Sequence, residues 1–185
     1  MCKCFVNGPF FLYNGTFFCY TVCVAKYCRE VAFMTDYRTL CHNVEGLISG
    51  VPHLIANLAN ASAAAWQAME DINWIGFYLM EDGKLVLGPF QGKPACIEIA
   101  LHRGVCGAAV TTGETQLVED VHQFPGHIAC DAASRSEVVV PIRANGGIVA
   151  VLDGDSPTVG RFTEADKAGL EQLAAVVERE LAELW

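Results

Sequence analysis

Two stretches of the chain, one on each side of its central part, place apolar residues at helical spacing. The first runs from Leu40 to Ile48, and the Gly-Val-Pro break at residues 50–52 predicts that this helix ends there and that a second, alanine-rich helix follows. In the other stretch, Thr163 precedes Asp166 by three residues, which is close to a capping box. This pattern predicts a last helix that continues to the end of the chain.

Between these helices, the pattern changes to short aromatic and β-branched runs separated by turn residues, which is typical of hairpin strands. A short helix is predicted after a glycine between the two hairpins. The predicted strands are residues 74–79, 84–90, 137–142 and 148–152, with Asp-Gly and Asn-Gly turns, and the short helix is residues 104–110. We therefore expect an α+β fold, with a central antiparallel sheet and the N-terminal and C-terminal helices packed on one face.

Composition limits the class of protein. The chain has 185 residues, of which 52% are hydrophobic and 18% charged, so one compact domain is expected. The net charge of −9 opposes binding to nucleic acid or to an anionic membrane surface. No apolar run reaches the roughly 18 residues expected of a membrane-spanning helix.

The first 33 residues differ in composition from the rest, because they hold five of the nine cysteines and many phenylalanines. We expect residues 1–33 to be an N-terminal extension, either disordered or a targeting segment, and residues 34–185 to be the domain. A metal site at Cys19 and Cys23 is less favoured, because no histidine or second regular pair completes it. The odd number and irregular spacing of the cysteines do not resemble a secreted disulfide framework, so we expect a cytoplasmic protein.

Cys130 is the thiol best placed for chemistry, because it follows proline and glycine in a segment between two predicted strands. His127 and Arg135 are nearby cations that would favour its thiolate, although Asp131 opposes it and a buried structural cysteine is the alternative. Cys96 and Cys106 are possible disulfide partners. Cys106 lies in an apolar helix, where packing is the simpler explanation.

Three carboxylates form a second candidate group. Asp153 and Asp155 are two residues apart on a predicted strand end, so both side chains face one side, and Glu137 begins the neighbouring strand. Such a group could bind an ammonium ion, donate a proton or hold a divalent cation. The alternative is an acidic strand end that caps a turn.

Several segments together resemble the free methionine-R-sulfoxide reductases. They are residues 56–60, 73–78, 88–96, 104–107 and 127–137, and the resemblance runs from Met34 to the C-terminus. It implies a GAF fold, with the catalytic cysteine at Cys130, the principal resolving cysteine at Cys96 and a third at Cys106. One departure is Gly154, where relatives carry a larger aliphatic residue.

The resemblance also implies a substrate site. Its carboxylates fall on Glu137, Asp153 and Asp155, and its aromatic lining on Trp74 and Tyr78. The implied reaction is reduction of free L-methionine-R-sulfoxide through a cysteine sulfenic acid and an intramolecular disulfide, recycled by a thioredoxin-like dithiol protein. No cofactor and no metal are expected.

Other functions stay open at this stage. They are a GAF module that binds a ligand or senses redox state, and a structural protein whose thiols are incidental. A zinc site made of His122 and His127 with Cys106 or Cys130 matches no regular ligand spacing. A homodimer is compatible with the long apolar stripe of the last helix.

Overall fold

The structure, a computed structural model, describes residues 35–126 and 132–185, and residues 35–185 form one compact unit. Six antiparallel strands form one sheet in the order β3-β2-β1-β6-β5-β4. The elements are α1 Tyr37–Ile48, α2 Leu54–Ala68, β1 Trp74–Glu81, β2 Lys84–Gly92, β3 Glu98–Ala100, α3 Gly104–Thr112, β4 Gln116–Val118, β5 Ser136–Ala144, β6 Gly147–Ser156 and α4 Glu164–Glu180. Short 3₁₀ turns cover Val121–Gln123 and Ala182–Leu184.

One face of the sheet is covered by α1, α2 and α4. Alternate residues of the central strands, such as Ile75, Phe77 and Leu152, are at most 1% exposed and pack with apolar residues of these helices. The expectation that the N-terminal and C-terminal helices share one face is therefore confirmed.

The opposite face of the sheet holds a second, smaller core. Trp74 and Tyr78 of β1 point to this side, where Val105 and Cys106 of the short helix α3 pack against them. Ile75 and Phe77, which alternate with them along β1, face the helices, as expected from the two-residue period of a strand. This second face carries the candidate site.

Both predicted hairpin turns are present and have the backbone that their residues favour. Asp82 and Gly83 have φ values of 47° and 77°, and Asn145 and Gly146 have 53° and 80°. Two successive positive φ angles are typical of the type I′ turn, which matches the right-handed twist of the flanking strands.

The last helix begins as predicted but ends earlier. Thr163 and Asp166 form a complete capping box at the N-terminus of α4. The helix stops at Glu180 instead of continuing to the end of the chain. Its apolar stripe, including Leu170 and Leu173, is buried against other residues of the same chain. The stripe therefore does not support a homodimer, which stays a prediction.

Two short strands were not predicted, and one strand is longer than expected. β3 and β4 have three residues each, too few to show an alternating pattern. β6 continues to Ser156, so Asp153 and Asp155 lie within the strand. Across the described residues, every helix is too short or too polar to cross a lipid bilayer.

Candidate active site

The three predicted carboxylates lie together at one end of the β5–β6 hairpin. Glu137 of β5 pairs with Asp155 of β6, and Asp153 pairs with Val139 on the same strands. Directly opposed residues of an antiparallel pair share a face, so all three side chains point to the side covered by α3. The two-residue spacing of the aspartates predicted that they share a side.

Burial changes the acid–base character of this group. Glu137 is 6% exposed and Asp153 is 5% exposed, whereas Asp155 is half-buried. Burial, and then the neighbouring carboxylates, raises the pKa of Glu137 well above its ordinary value. Burial and the charge of Asp155 raise the pKa of Asp153 in the same way. The arrangement can therefore keep a proton on a carboxyl group near neutral pH.

Cys106 brings a thiol into the same group. Its Sγ atom lies 3.4 Å from Oδ2 of Asp153 and 4.0 Å from Oε1 of Glu137. Burial and these carboxylates raise the pKa of the Cys106 thiol, so it remains protonated and donates to Asp153. The other oxygen of Asp153, Oδ1, is buried and has no hydrogen-bond partner within the described part of the chain.

The aromatic residues form a stack beside the carboxylates. The Trp74 ring lies 5.7 Å from that of Tyr78 and 5.2 Å from that of Phe90, measured between centroids. Phe90 pairs with Gly76, where an added Cβ atom would overlap the Phe90 Cβ. Gly76 is thus required for the close approach of Phe90. Sequence reasoning did not assign Phe90 a role, although it lies in one of the resembling segments.

The same aromatic residues hold the loop between β2 and β3. Trp74 Nε1 donates to the Lys93 carbonyl at 3.2 Å, and the Tyr78 hydroxyl donates to the Cys96 carbonyl at 3.1 Å. The pKa of Tyr78 is raised by burial and by the nearby Asp153. The hydroxyl therefore stays protonated and available as a donor. In this way the site fixes the backbone that carries Cys96.

The described cysteines differ in redox state. Cys96 is half-buried and disulfide-bonded, whereas Cys41 and Cys106 are free thiols. Cys130, the predicted nucleophile, lies outside the described residues, as does His127. Arg135, proposed as a cation near Cys130, has a guanidinium nitrogen 3.8 Å from Asp120.

One group of potential metal ligands is found among the described residues. Cys106, Glu137 and Asp153 each offer one ligand atom, and these atoms lie within 4.8 Å of one another. His122, considered for a zinc site from the sequence, is exposed on the 3₁₀ turn and lies outside this group.

The sheet with helices on one face and this site on the other define a GAF domain, and the model of the GAF domain matches residues 56–181. The free methionine-R-sulfoxide reductase of Escherichia coli (strain K12) is 53% identical over 146 residues, which is 79% of this chain and 88% of that protein. The chain belongs to the free methionine-R-sulfoxide reductase family.

Solved structures agree with this assignment. The structure of fRMsr of Staphylococcus aureus in complex with substrate is 49% identical, with a TM-score of 0.77, and the match covers 80% of this chain and 97% of that chain. The free methionine-R-sulfoxide reductase from Neisseria meningitidis, solved in complex with its substrate, is 41% identical with a TM-score of 0.77. That match covers 80% of this chain and 89% of that chain.

Proposed function

We propose that this chain reduces free L-methionine-R-sulfoxide to L-methionine, with Cys130 as the nucleophile. The observation that carries the proposal is the buried group of Glu137 and Asp153 beside Asp155. A site of this kind suits a substrate that brings a positive charge and needs a proton. The family relatives that are named for this activity support the same reaction.

The carboxylates have two tasks in this reaction. Ionised members bind the α-ammonium group of the free amino acid, which supplies the cation that a buried carboxylate lacks. The sulfoxide oxygen is a poor leaving group until it is protonated, and a carboxyl group with a raised pKa can donate that proton near neutral pH. Peptide-bound methionine sulfoxide has no α-ammonium group at this position, so it is expected to be a poor substrate.

The redox steps balance with the cysteines of this chain. The Cys130 thiolate attacks the sulfoxide sulfur, the protonated oxygen is transferred to Cys130, and the products are methionine and a Cys130 sulfenic acid. The Cys96 thiol then attacks the sulfenic acid, releasing water and forming a disulfide. A thioredoxin-like dithiol protein reduces that disulfide, as expected in the reducing cytoplasm.

The environment of the cysteines supports Cys96 as the resolving residue. Cys96 is on a loop, half-buried, and already disulfide-bonded in the structure. Cys106 is 3% exposed on a packed helix, and its raised pKa disfavours the thiolate that resolution needs. We therefore assign Cys106 to the substrate cavity as the third thiol.

The aromatic residues are proposed to select the epimer. The stacked Trp74 ring offers an apolar surface for the ε-methyl group of the substrate, and Tyr78 lies next to it. We propose residues 34–185 as the domain that carries this activity, with residues 1–33 as an extension outside it.

The test is consumption of the two free sulfoxide epimers, assayed separately with excess dithiothreitol. We expect turnover of the R epimer, none of the S epimer, and loss of turnover in Cys130→Ser. Cys41→Ser is the matched control, because Cys41 lies on α1 at the opposite face of the sheet, and it should keep the original rate. Folded, reduced protein that turns over neither epimer would instead indicate a ligand-sensing GAF module.

A further inference from the structure

Cys106, Glu137 and Asp153 meet as three potential metal ligands, which we call the thiol–carboxylate trio. We propose that this trio binds a zinc-like divalent cation when substrate is absent, and that the bound cation inhibits the enzyme. Cation binding is independent of the proposed function, but the inhibition rests on it. The cation acts here as an inhibitor and not as a cofactor of the reaction.

The spacing of the trio fits tetrahedral zinc. Zinc bonds of about 2.3 Å to sulfur and about 2.1 Å to oxygen, at a tetrahedral angle, separate the two ligand atoms by about 3.6 Å. The Cys106 Sγ atom lies 3.4 Å from Asp153 and 4.0 Å from Glu137. Shifts of a few tenths of an ångström would bring both sulfur–oxygen separations to this value. The two carboxylate oxygens lie within 4.8 Å of each other and would have to approach to about 3.4 Å.

The donor set selects the kind of cation. Mg²⁺ and Ca²⁺ require shells of oxygen ligands and gain little from a thiolate. Zn²⁺ and Co²⁺ accept mixed sulfur and oxygen donors. The cation displaces the thiol proton of Cys106 and the proton held by the carboxyl groups, and both are released to solvent. The resulting thiolate and two carboxylates favour a borderline-soft cation.

A second observation supports a cation ligand at this place. Asp153 is 5% exposed, and its Oδ1 atom is buried without a hydrogen-bond partner within the described residues. Its other oxygen accepts from Cys106, so the side chain is directed into the trio. Buried carboxylate oxygens are normally paired or bound to a cation, and a divalent ion held by both oxygens of Asp153 would satisfy Oδ1 as well as Oδ2.

The trio is held in place before any ligand arrives. Cys106 is on α3, Glu137 on β5 and Asp153 on β6, and the apolar neighbours of all three are buried. Asp155, paired with Glu137, is half-buried and marks the more open side of the group. A cation can approach from that side and keep a water molecule as its fourth ligand.

Inhibition follows from shared ligands. The carboxylates that would bind the cation are those proposed to bind the substrate ammonium group. Zn²⁺ and free methionine sulfoxide should therefore exclude each other. The substrate should raise the apparent dissociation constant of zinc by a factor of one plus the ratio of the substrate concentration to the substrate's own dissociation constant.

The experiment uses the full chain, reduced, desalted and freed of metal. Zn²⁺ is titrated by calorimetry, and Co²⁺ is added separately as a probe whose thiolate charge-transfer band reports sulfur ligation. Cys106→Ser should lose the band and one equivalent of tight metal, and Asp153→Asn should weaken that equivalent at least about tenfold. Cys41→Ser removes the other free thiol found among the described residues, so it is the matched control and should retain both signals.

Comparison between variants is essential, because residues 1–33 contribute five further cysteines. A tight equivalent and band that persist in Cys106→Ser, or the absence of both from the original protein, would overturn the proposal. Binding that free methionine sulfoxide does not displace would overturn its inhibitory part. Failure of the proposed function is recognised separately, as metal-free protein without sulfoxide turnover.

Discussion

Replacing Asp153 by asparagine removes one buried ionisable group while nearly keeping the shape of the side chain. Burial raises the pKa of Asp153 above its ordinary value of 3.8. Below that value the carboxyl group is protonated in both the folded and the unfolded protein, so the original protein and the variant differ by a constant offset. Above it, the unfolded chain ionises first, and the original protein loses stability as the pH rises towards the folded-state pKa.

The size of this effect follows from proton linkage. A single group that is ionised when unfolded and protonated when folded costs about 1.4 kcal/mol for each pH unit above the lower pKa. Between pH 4 and pH 6, Asp153→Asn should therefore gain up to about 2.7 kcal/mol of unfolding free energy relative to the original protein.

Urea unfolding of both proteins at several pH values measures the difference directly. Asp120→Asn is a control of opposite sign. Hydrogen bonds from the Gln123 side chain and the His122 backbone lower the pKa of Asp120 below its ordinary value of 3.8, so that variant should lose relative stability as the pH rises to about 3.8 and show a constant difference above it. A difference for Asp153→Asn that stays constant from pH 4 to pH 7 would refute the claim that this buried carboxyl group is held protonated.

Two further substitutions test the packing around the site. Gly154→Ala should raise the unfolding free energy by about 0.4–1 kcal/mol, because its Cβ would meet Val138 at 3.5 Å, an ordinary contact, and the unfolded chain loses freedom. A lower urea midpoint would contradict this. Tyr78→Phe removes the hydrogen bond to the Cys96 carbonyl, worth about 1 kcal/mol, so thiol trapping in a single turnover should show disulfide formation slowed about fivefold. A smaller first-turnover yield of methionine, with unchanged disulfide formation, would contradict that role.

Local sequence patterns correctly predicted the elements that are determined by neighbouring residues. The positive φ angles at Asn145 and Gly146 follow from the residues themselves, and so does the capping box of Thr163 and Asp166. β3 and β4 exist because β2 and β5 offer them an open edge, which no three-residue pattern can show. Long-range pairing therefore accounts for what the sequence reasoning missed in the sheet.

The sequence offered two interpretations of Cys106, a packing role and a functional role, and its surroundings are consistent with both. Its apolar helix favoured a packing role, and it is indeed buried with Val105 and Ala109 in the second core. The resemblance placed it among the functional cysteines, and its sulfur lies 3.4 Å from Asp153. Helical spacing predicts which side of α3 is buried, but it does not predict that the carboxylate of Asp153 on β6 lies against that side.

The carboxylate group itself depends on an irregularity that local patterns do not reveal. Next to the turn, Ala144 pairs with Gly147, and a regular hairpin counted from that pair would place Glu137 opposite Gly154, on the face covered by the helices. The register instead shifts by one residue between Ile142 and Arg143, because β6 contributes an additional residue there. Since a shift of one residue moves a side chain to the other face, this irregularity brings Glu137 opposite Asp155 and onto the face of Cys106. The chemistry of the site thus depends on a backbone feature five residues away from Glu137.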